Sequence, residues 1–305
     1  MNTRRQFLMC SGAVGAALGT GSGLAAVLGA DGNRTRGADI VAEKPVLREP
    51  WSMARTTEMF GTNSPGPTWL KAEMLSFTAE VDRTTAKVWL PPPLVPTDPP
   101  RAVVFVARYP MTKLGFGYNE AGVLLQGSYH DQTYMHCTWM VVDDDTALIL
   151  GRERLGFPKK MAVIDANVLA AAPFGTIERK GLPVMEVMGS NVRAIDPVVA
   201  SAASEFNSMP FVNVVGEPRS GGRLLQFAGE QKVYRAQAVD LEVTFGNSDL
   251  DPLYRLGMAS RQTGTVTVVD MAVRGGQQGA SDEHSLTGTA VPAEWMAKAY
   301  PFRVW

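Results

Sequence analysis

Residues 101–109 read RAVVFVARY, an apolar run closed by Pro99 and Pro100 before it and by Pro110 after it. A short run of this kind, rich in valine and bounded by prolines, reads as a strand. The segments on either side extend the pattern. TWLKAEMLSFTAEV (68–81) alternates loosely, and TYMHCTWMVVDDDTALILG (133–151) carries two apolar stretches around the acidic turn Asp143–Asp145. GTIERKGLPVMEVMG (175–189) reads as a hairpin whose turn is Arg179-Lys180-Gly181, with glycine supplying the positive φ. RLLQFAG, QKVYRAQAVDLEVTFG and GTVTVVDMAV carry strands toward the C-terminus.

Helical signals are few. DPVVASAASEF (196–206) opens on an aspartate followed by proline, and VPAEWMAKAY (291–300) is a second candidate. PPPLVPTDPP (91–100) reads as a stiff extended connection between strands. The expected fold class is therefore mainly β (α+β), antiparallel, closed or curled, with a few peripheral helices.

With 45% hydrophobic and 19% charged residues, the 305-residue chain has the composition of a globular protein with a sizeable core. A formal net charge of −1 gives no sign of nucleic acid or an anionic membrane as the main partner, and neither is expected. The start of the chain reads differently. NTRRQFLM presents Arg4 and Arg5, and a Gly- and Ala-rich apolar run follows from Gly12 to Ala30. This resembles a twin-arginine export signal over residues 1–30, with a flexible leader at 31–50 and a single domain at 51–305. The expected destination is periplasmic or extracellular, with no stable membrane anchor after cleavage. Removing Cys10 with the signal leaves Cys137 alone and excludes an intrachain disulfide.

Few motifs carry chemistry. GTGSGL (19–24) follows no strand and lies inside the export signal, so it is no dinucleotide loop. His130, Asp131, His136 and Cys137 fall close together, but in a strand His136 and Cys137 point to opposite faces. No metal site is expected. No G-x-S-x-G elbow appears. That leaves Lys159-Lys160 after Pro158, flanked by Phe157 and Met161, together with Glu120 in GFGYNEAG. Burial and a neighbouring cation both favour a neutral amine. A neutral lysine can attack a ketone and form an imine that draws electrons from the next carbon. Glu120 would move the protons. Tyr118 shares a strand face with Glu120, and Tyr118, Phe105, Phe157 and Met161 are expected to meet substrate.

The strings GYNEAGV and DDDTALILGRERLGFPKKMA resemble the acetoacetate decarboxylase superfamily, continuously over about 115–165. FGNSDLDPLYRLGM (245–258) is similar to that family's late segment. The resemblance implies a cone-like antiparallel β barrel that assembles into homo-oligomers and needs no metal or organic cofactor. It implies Lys159 as the Schiff-base nucleophile, Lys160 as the neighbouring cation and Glu120 as the active-site glutamate. Arg152 and Glu153 match the motif and are expected to pair with each other and orient the strand. Two positions depart from the family pattern: Phe105 stands where a second glutamate is expected, and Ala72 where an arginine is expected. An arginine would hold a substrate carboxylate bidentately, and its loss touches substrate reading. The expected function is a lysine-imine lyase that decarboxylates a β-keto acid. The alternatives are an aldolase-dehydratase acting on pyruvate or a related keto acid, and a binding protein for a small carbonyl compound.

Overall fold

The computed structural model describes residues 68–113, 115–217, 220–275 and 285–304. The expected export signal, the expected leader and His284 lie outside the described residues.

The chain begins with β1 (Thr68–Glu80) and turns into a short helix, α1 (Arg83–Trp89), capped by the Asp82 side chain accepting from Thr85 N. No helix is expected here from sequence, because seven residues that bury only Ala86 and Trp89 carry too little periodicity. The proline-rich stretch therefore links a helix, not a strand, to β3, and its Val95–Pro96 forms the short β2. RAVVFVARY is that β3 (Arg101–Tyr109), and the two-residue β4 (Met111–Thr112) comes after it. Six consecutive buried residues, Ala102–Ala107, show why β3 does not alternate: both of its faces are covered. Next come β5 (Tyr118–Tyr129) and β6 (Gln132–Val142), joined at His130-Asp131.

The second apolar stretch after the acidic turn, TALILG, is not a strand. It belongs to helix α2 (Asp145–Leu155), whose N-cap is Asp144, accepting from Ala147 N. Asp143 accepts from Asn119 instead. The aspartate run is thus a helix start rather than a solvated turn, and a capping side chain satisfies an otherwise orphan N–H. After α2 the chain enters β7 (Lys159–Met161) and β8 (Val163–Asn167), then the expected hairpin of β9 (Phe174–Arg179) and β10 (Leu182–Ile195). The turn is Lys180-Gly181, both at positive φ, and Arg179 is already in the ladder opposite Leu182. The helix expected over 196–206 is two pieces, α3 (Pro197–Ala202) and α4 (Glu205–Ser208), with Asp196 capping the first. β11 (Phe211–Glu217), the 25-residue β12 (Gly221–Phe245), β13 (Arg261–Gly275), β14 (Ala290–Val291) and α5 (Ala293–Val304) complete the described chain.

The strands form one sheet in the order β11-β6-β5-β3-β1-β13-β12-β10-β9-β8. Its ladders are antiparallel except where β6 meets β7 and β11. β12 is long enough to pair with β13, β10 and β11. The sheet thus curls back through β11, which touches β6 by a single parallel bridge, Phe211↔Met135. The ring is uneven at that seam, and the expectation of a barrel reduces to a mainly β fold with a few helices.

Strand alternation divides the interior into two cores. Val104, Val106, Ala121, Val123, Trp139 and Val141 belong to one. Phe105, Tyr109, Tyr118, Met140, Phe157 and Phe211 belong to the other. The second core holds the candidate site.

Candidate active site

The string GRERLGFPKK has a physical reason at almost every letter. Gly151 lies on the inner side of α2, where an added Cβ would meet Lys159 Cε at 2.5 Å and Cδ at 2.6 Å. Only a residue without a side chain leaves that lysine its channel. Arg152 donates to the Lys159 carbonyl at 3.0 Å and ties the helix to β7. Gly156 ends the helix in the left-handed region at φ 64°, its N–H reaching the Arg152 carbonyl at 3.2 Å. Pro158 is the central residue of a tight turn closed by Lys159 N donating to the Phe157 carbonyl at 2.8 Å. Asn213 locks the assembly from beneath, donating to the Leu155 carbonyl and accepting from Cys137 N.

β7 then runs parallel to β6, with Lys159 opposite Met140 and Lys160 opposite Val141. Successive side chains of a strand face opposite ways. Lys159, 4% exposed, enters the Phe105–Tyr118 core, where it meets Glu120, 5% exposed. Its Nζ lies 2.6 Å from Glu120 Oε2, which has no aligned hydrogen-bond partner among the described residues. The two groups form a buried ion pair at contact distance. Glu120 Oε1 accepts from Tyr109 OH at 3.2 Å. Tyr118 OH accepts from Trp69 Nε1 at 2.8 Å, and its ring centroid is 5.3 Å from Lys159 Nζ. Phe157 covers another side at 5.9 Å. A charged pair enclosed by rings has little water to screen it, so each proton position matters.

Lys160 points into the other core. It pairs with Asp251 Oδ1, which also accepts from Trp139 Nε1 at 2.7 Å, while Arg179 holds Asp251 Oδ2 at 2.9 Å. Burial pushes the Lys160 ammonium down to about 8, against the Asp251 carboxylate, which holds it up. Its charge is balanced on the far side of the strand from Glu120.

The structure thus brings Lys159, Glu120, Tyr118, Phe157 and Phe105 to one face, and places Lys160 on the other. Arg152 and Glu153 do not pair with each other. Adjacent helix positions point apart, Arg152 serves the Lys159 backbone, and Glu153 is exposed. Met161 is 45% exposed and lies at the surface. His136 and Cys137 face opposite ways: His136 Nδ1 is 2.8 Å from the Val212 carbonyl, and Cys137 sits in the Lys159 core. Sequence reasoning missed Tyr109, Trp69, Gly151 and the Asp251–Arg179 pair. Tyr109 had a signal, since it falls two pleats from Phe105 in the same run.

A mainly β fold with a lysine–glutamate pair sealed in one of its two cores is the class of site these residues define. The acetoacetate decarboxylase family model matches residues 48–280, and the chain belongs to that family. An acetoacetate decarboxylase of Chromobacterium violaceum is 29% identical over 191 residues, covering 58% of this chain and 72% of that one. One from Burkholderia cenocepacia is 32% identical over 107 residues, covering 35% and 43%. Among solved structures, the acetoacetate decarboxylase of Legionella pneumophila superposes with a TM-score of 0.62 at 17% identity, over 74% of this chain and 87% of its own. The enduracididine biosynthesis enzyme MppR complexed with pyruvate gives 0.55 at 18% identity, over 70% and 92%. These structural likenesses establish the fold.

Gly151→Ala tests the channel. The new methyl group must displace the flexible end of Lys159 rather than backbone, and helix propensity favours alanine by up to about 1 kcal/mol. Thermal stability is expected to hold, while turnover of any accepted carbonyl substrate falls about a hundredfold, the cost of misplacing a reacting group by about 1 Å. Unchanged turnover would show that the glycine does not shape the site.

Alkaline titration tests the enclosure. Burial, and next the Glu120 carboxylate, hold the phenols of Tyr109 and Tyr118 well above the usual tyrosine range. The unfolded chain loses these protons near pH ~10 while the folded chain keeps them. Folded protein then binds more protons, so stability falls as pH rises beyond that point. Phenolate absorbance is expected to show both groups ionising only with unfolding, with Tyr109→Phe and Tyr118→Phe each removing one late-titrating group. Ionisation near pH ~10 in the folded protein would contradict the sealed site.

Proposed function

We propose that the protein is a lysine-imine lyase of small keto acids, with Lys159 as the nucleophile and Glu120 as the proton carrier. The observation that carries this reading is the buried Lys159–Glu120 pair at 2.6 Å, supported by membership of the acetoacetate decarboxylase family. Glu120 takes a proton from Lys159, and the free amine attacks the ketone carbon. Glu120 returns that proton to the carbinolamine hydroxyl, which leaves as water and gives a cationic imine. In a β-keto acid the bond to the carboxylate breaks, its electron pair moves toward the imine nitrogen, and CO₂ leaves. A proton taken up from solvent passes through Glu120 to the enamine carbon, and hydrolysis then returns the ketone and the lysine. Tyr109, hydrogen-bonded to Glu120, positions that carboxylate.

A second reading uses the same imine on pyruvate: proton loss to Glu120 gives an enamine that adds to an aldehyde and then loses water. Phe105 and Ala72 favour it, since they stand where the decarboxylase pattern expects a glutamate and an arginine. The complex of MppR with pyruvate, on a similar fold, supports it.

Incubation with acetoacetate, and separately with pyruvate plus an aldehyde, distinguishes the readings by CO₂ release against condensation product. Lys159→Ala is expected to abolish whichever activity is found. Glu120→Gln is expected to lower it about a hundredfold or more, the range of general acid–base assistance. Full turnover by Lys159→Ala would end the imine proposal.

A further inference from the structure

We infer that the site selects a keto acid, or an aldehyde partner of one, that bears a large, flat aryl substituent, and that Phe105 is the residue that selects it. This rests on the lysine-imine reading and narrows its substrate class.

Phe105 is 3% exposed and stands opposite Gly122 in the β3–β5 ladder. A Cβ at Gly122 would lie 2.6 Å from Phe105 Cε1 and 2.8 Å from Cζ, so the ring lies across the glycine. Met140 Cε is 3.4 Å from the same point, and Met140 is the strand partner of Lys159. The ring therefore extends from β3 over β5, the strand of Glu120, toward the strand beside the lysine. Gly122 is the small residue that gives it room.

From there a continuous series of rings returns to the lysine. Phe105 meets Phe206 edge-on at 6.2 Å, and Phe206 meets Phe211 at 5.7 Å. Phe211 stacks on Phe227 at 5.1 Å and 5°, and Phe227 meets Phe157 at 5.6 Å. Phe157 closes the arc 5.9 Å from Lys159 Nζ. One end of the arc thus borders the amine, and the other lies against Met140, the strand partner of Lys159. Phe206, with the neighbouring Met209 and Met271, is only partly buried, which leaves apolar surface for a ligand to cover.

The charge pattern agrees. Glu120 already neutralises Lys159, and Ala72, fully buried, adds no cation. The next carboxylate along this face, Glu205, is tied to Gln126 at 2.8 Å and Thr78 at 2.9 Å. Beyond the one carboxylate of a keto acid, a further negative group on the substrate would meet rings and the already paired Glu205, where an unpaired charge is costly. An aryl group would instead meet ring edges and faces, the arrangement aromatic pairs prefer.

The experiment compares 4-phenyl-2-butanone with acetone, two methyl ketones differing in the aryl arm. Each is trapped on the full protein with borohydride, and adduct on Lys159 is followed against ketone concentration. The aryl ketone is expected to half-saturate at least about tenfold lower, within the range by which apolar pockets discriminate. Phe105→Ala, and separately Phe206→Ala on the partly exposed α4, are expected to shrink that ratio several-fold. Adducts with both ketones at similar concentrations, or with acetone favoured, would overturn the inference and leave the imine reading standing. No adduct on Lys159 with either ketone, together with dialysis showing that 4-phenyl-2-butanol binds wild type more tightly than Phe105→Ala, would overturn the imine reading and support the apolar selection. Neither adduct nor binding would overturn both.

Discussion

The pleat of β7 is the constraint on which the site depends. Two consecutive lysines in a strand must part, one to each core, and each core has prepared a different partner. Lys159 meets a single carboxylate among aromatic rings. Lys160 meets a carboxylate already held by Arg179 and Trp139. The first arrangement is a single ion pair lined by aromatic rings. The second fixes every charge, and removing one member of such a buried network strands the others. Adjacent residues of the same type therefore have separate surroundings, one beside a single carboxylate among rings and one inside a fixed charge network.

The surrounding fold serves that separation. β3, β5 and β6 are buried on both faces, so a charged side chain on either face is shielded from solvent. α2 presses its glycine face onto Lys159, and its C-terminal turn delivers the chain into β7 in the register that sends Lys159 toward Glu120. The restricted letters of GRERLGFPKK are mostly those that build this turn: two glycines, one for space and one for a positive φ, a proline in the tight turn, and an arginine on the carbonyl of Lys159. A motif that looks catalytic is largely a means of aiming one amine.

Much of this was legible in the sequence. β1, β3, β6 and the β9–β10 hairpin follow from apolar runs and turn residues, and Glu120 and Tyr118 fall on one face by simple alternation. The failures have identifiable reasons. TALILG is apolar and β-branched enough to pass for a strand, and only the capping aspartate before it decides for helix. α1 is too short to show a period. Lys160 was expected as a cation beside Lys159, since sequence adjacency suggests proximity, yet strand geometry turns it away. Asp251 lies within the family-like string 245–258, but its partners Lys160 and Arg179 lie 91 and 72 positions away, and no local pattern reports a pair of that span.

The measurement that bears most directly on the division between the two lysines is site mapping of an imine. The protein is mixed with acetoacetate, reduced with borohydride, and digested so that Lys159 and Lys160 are resolved by fragment mass. The account requires the adduct on Lys159 alone, with Lys160 unmodified in the folded protein. An adduct on Lys160, or one shared between the two, would contradict it.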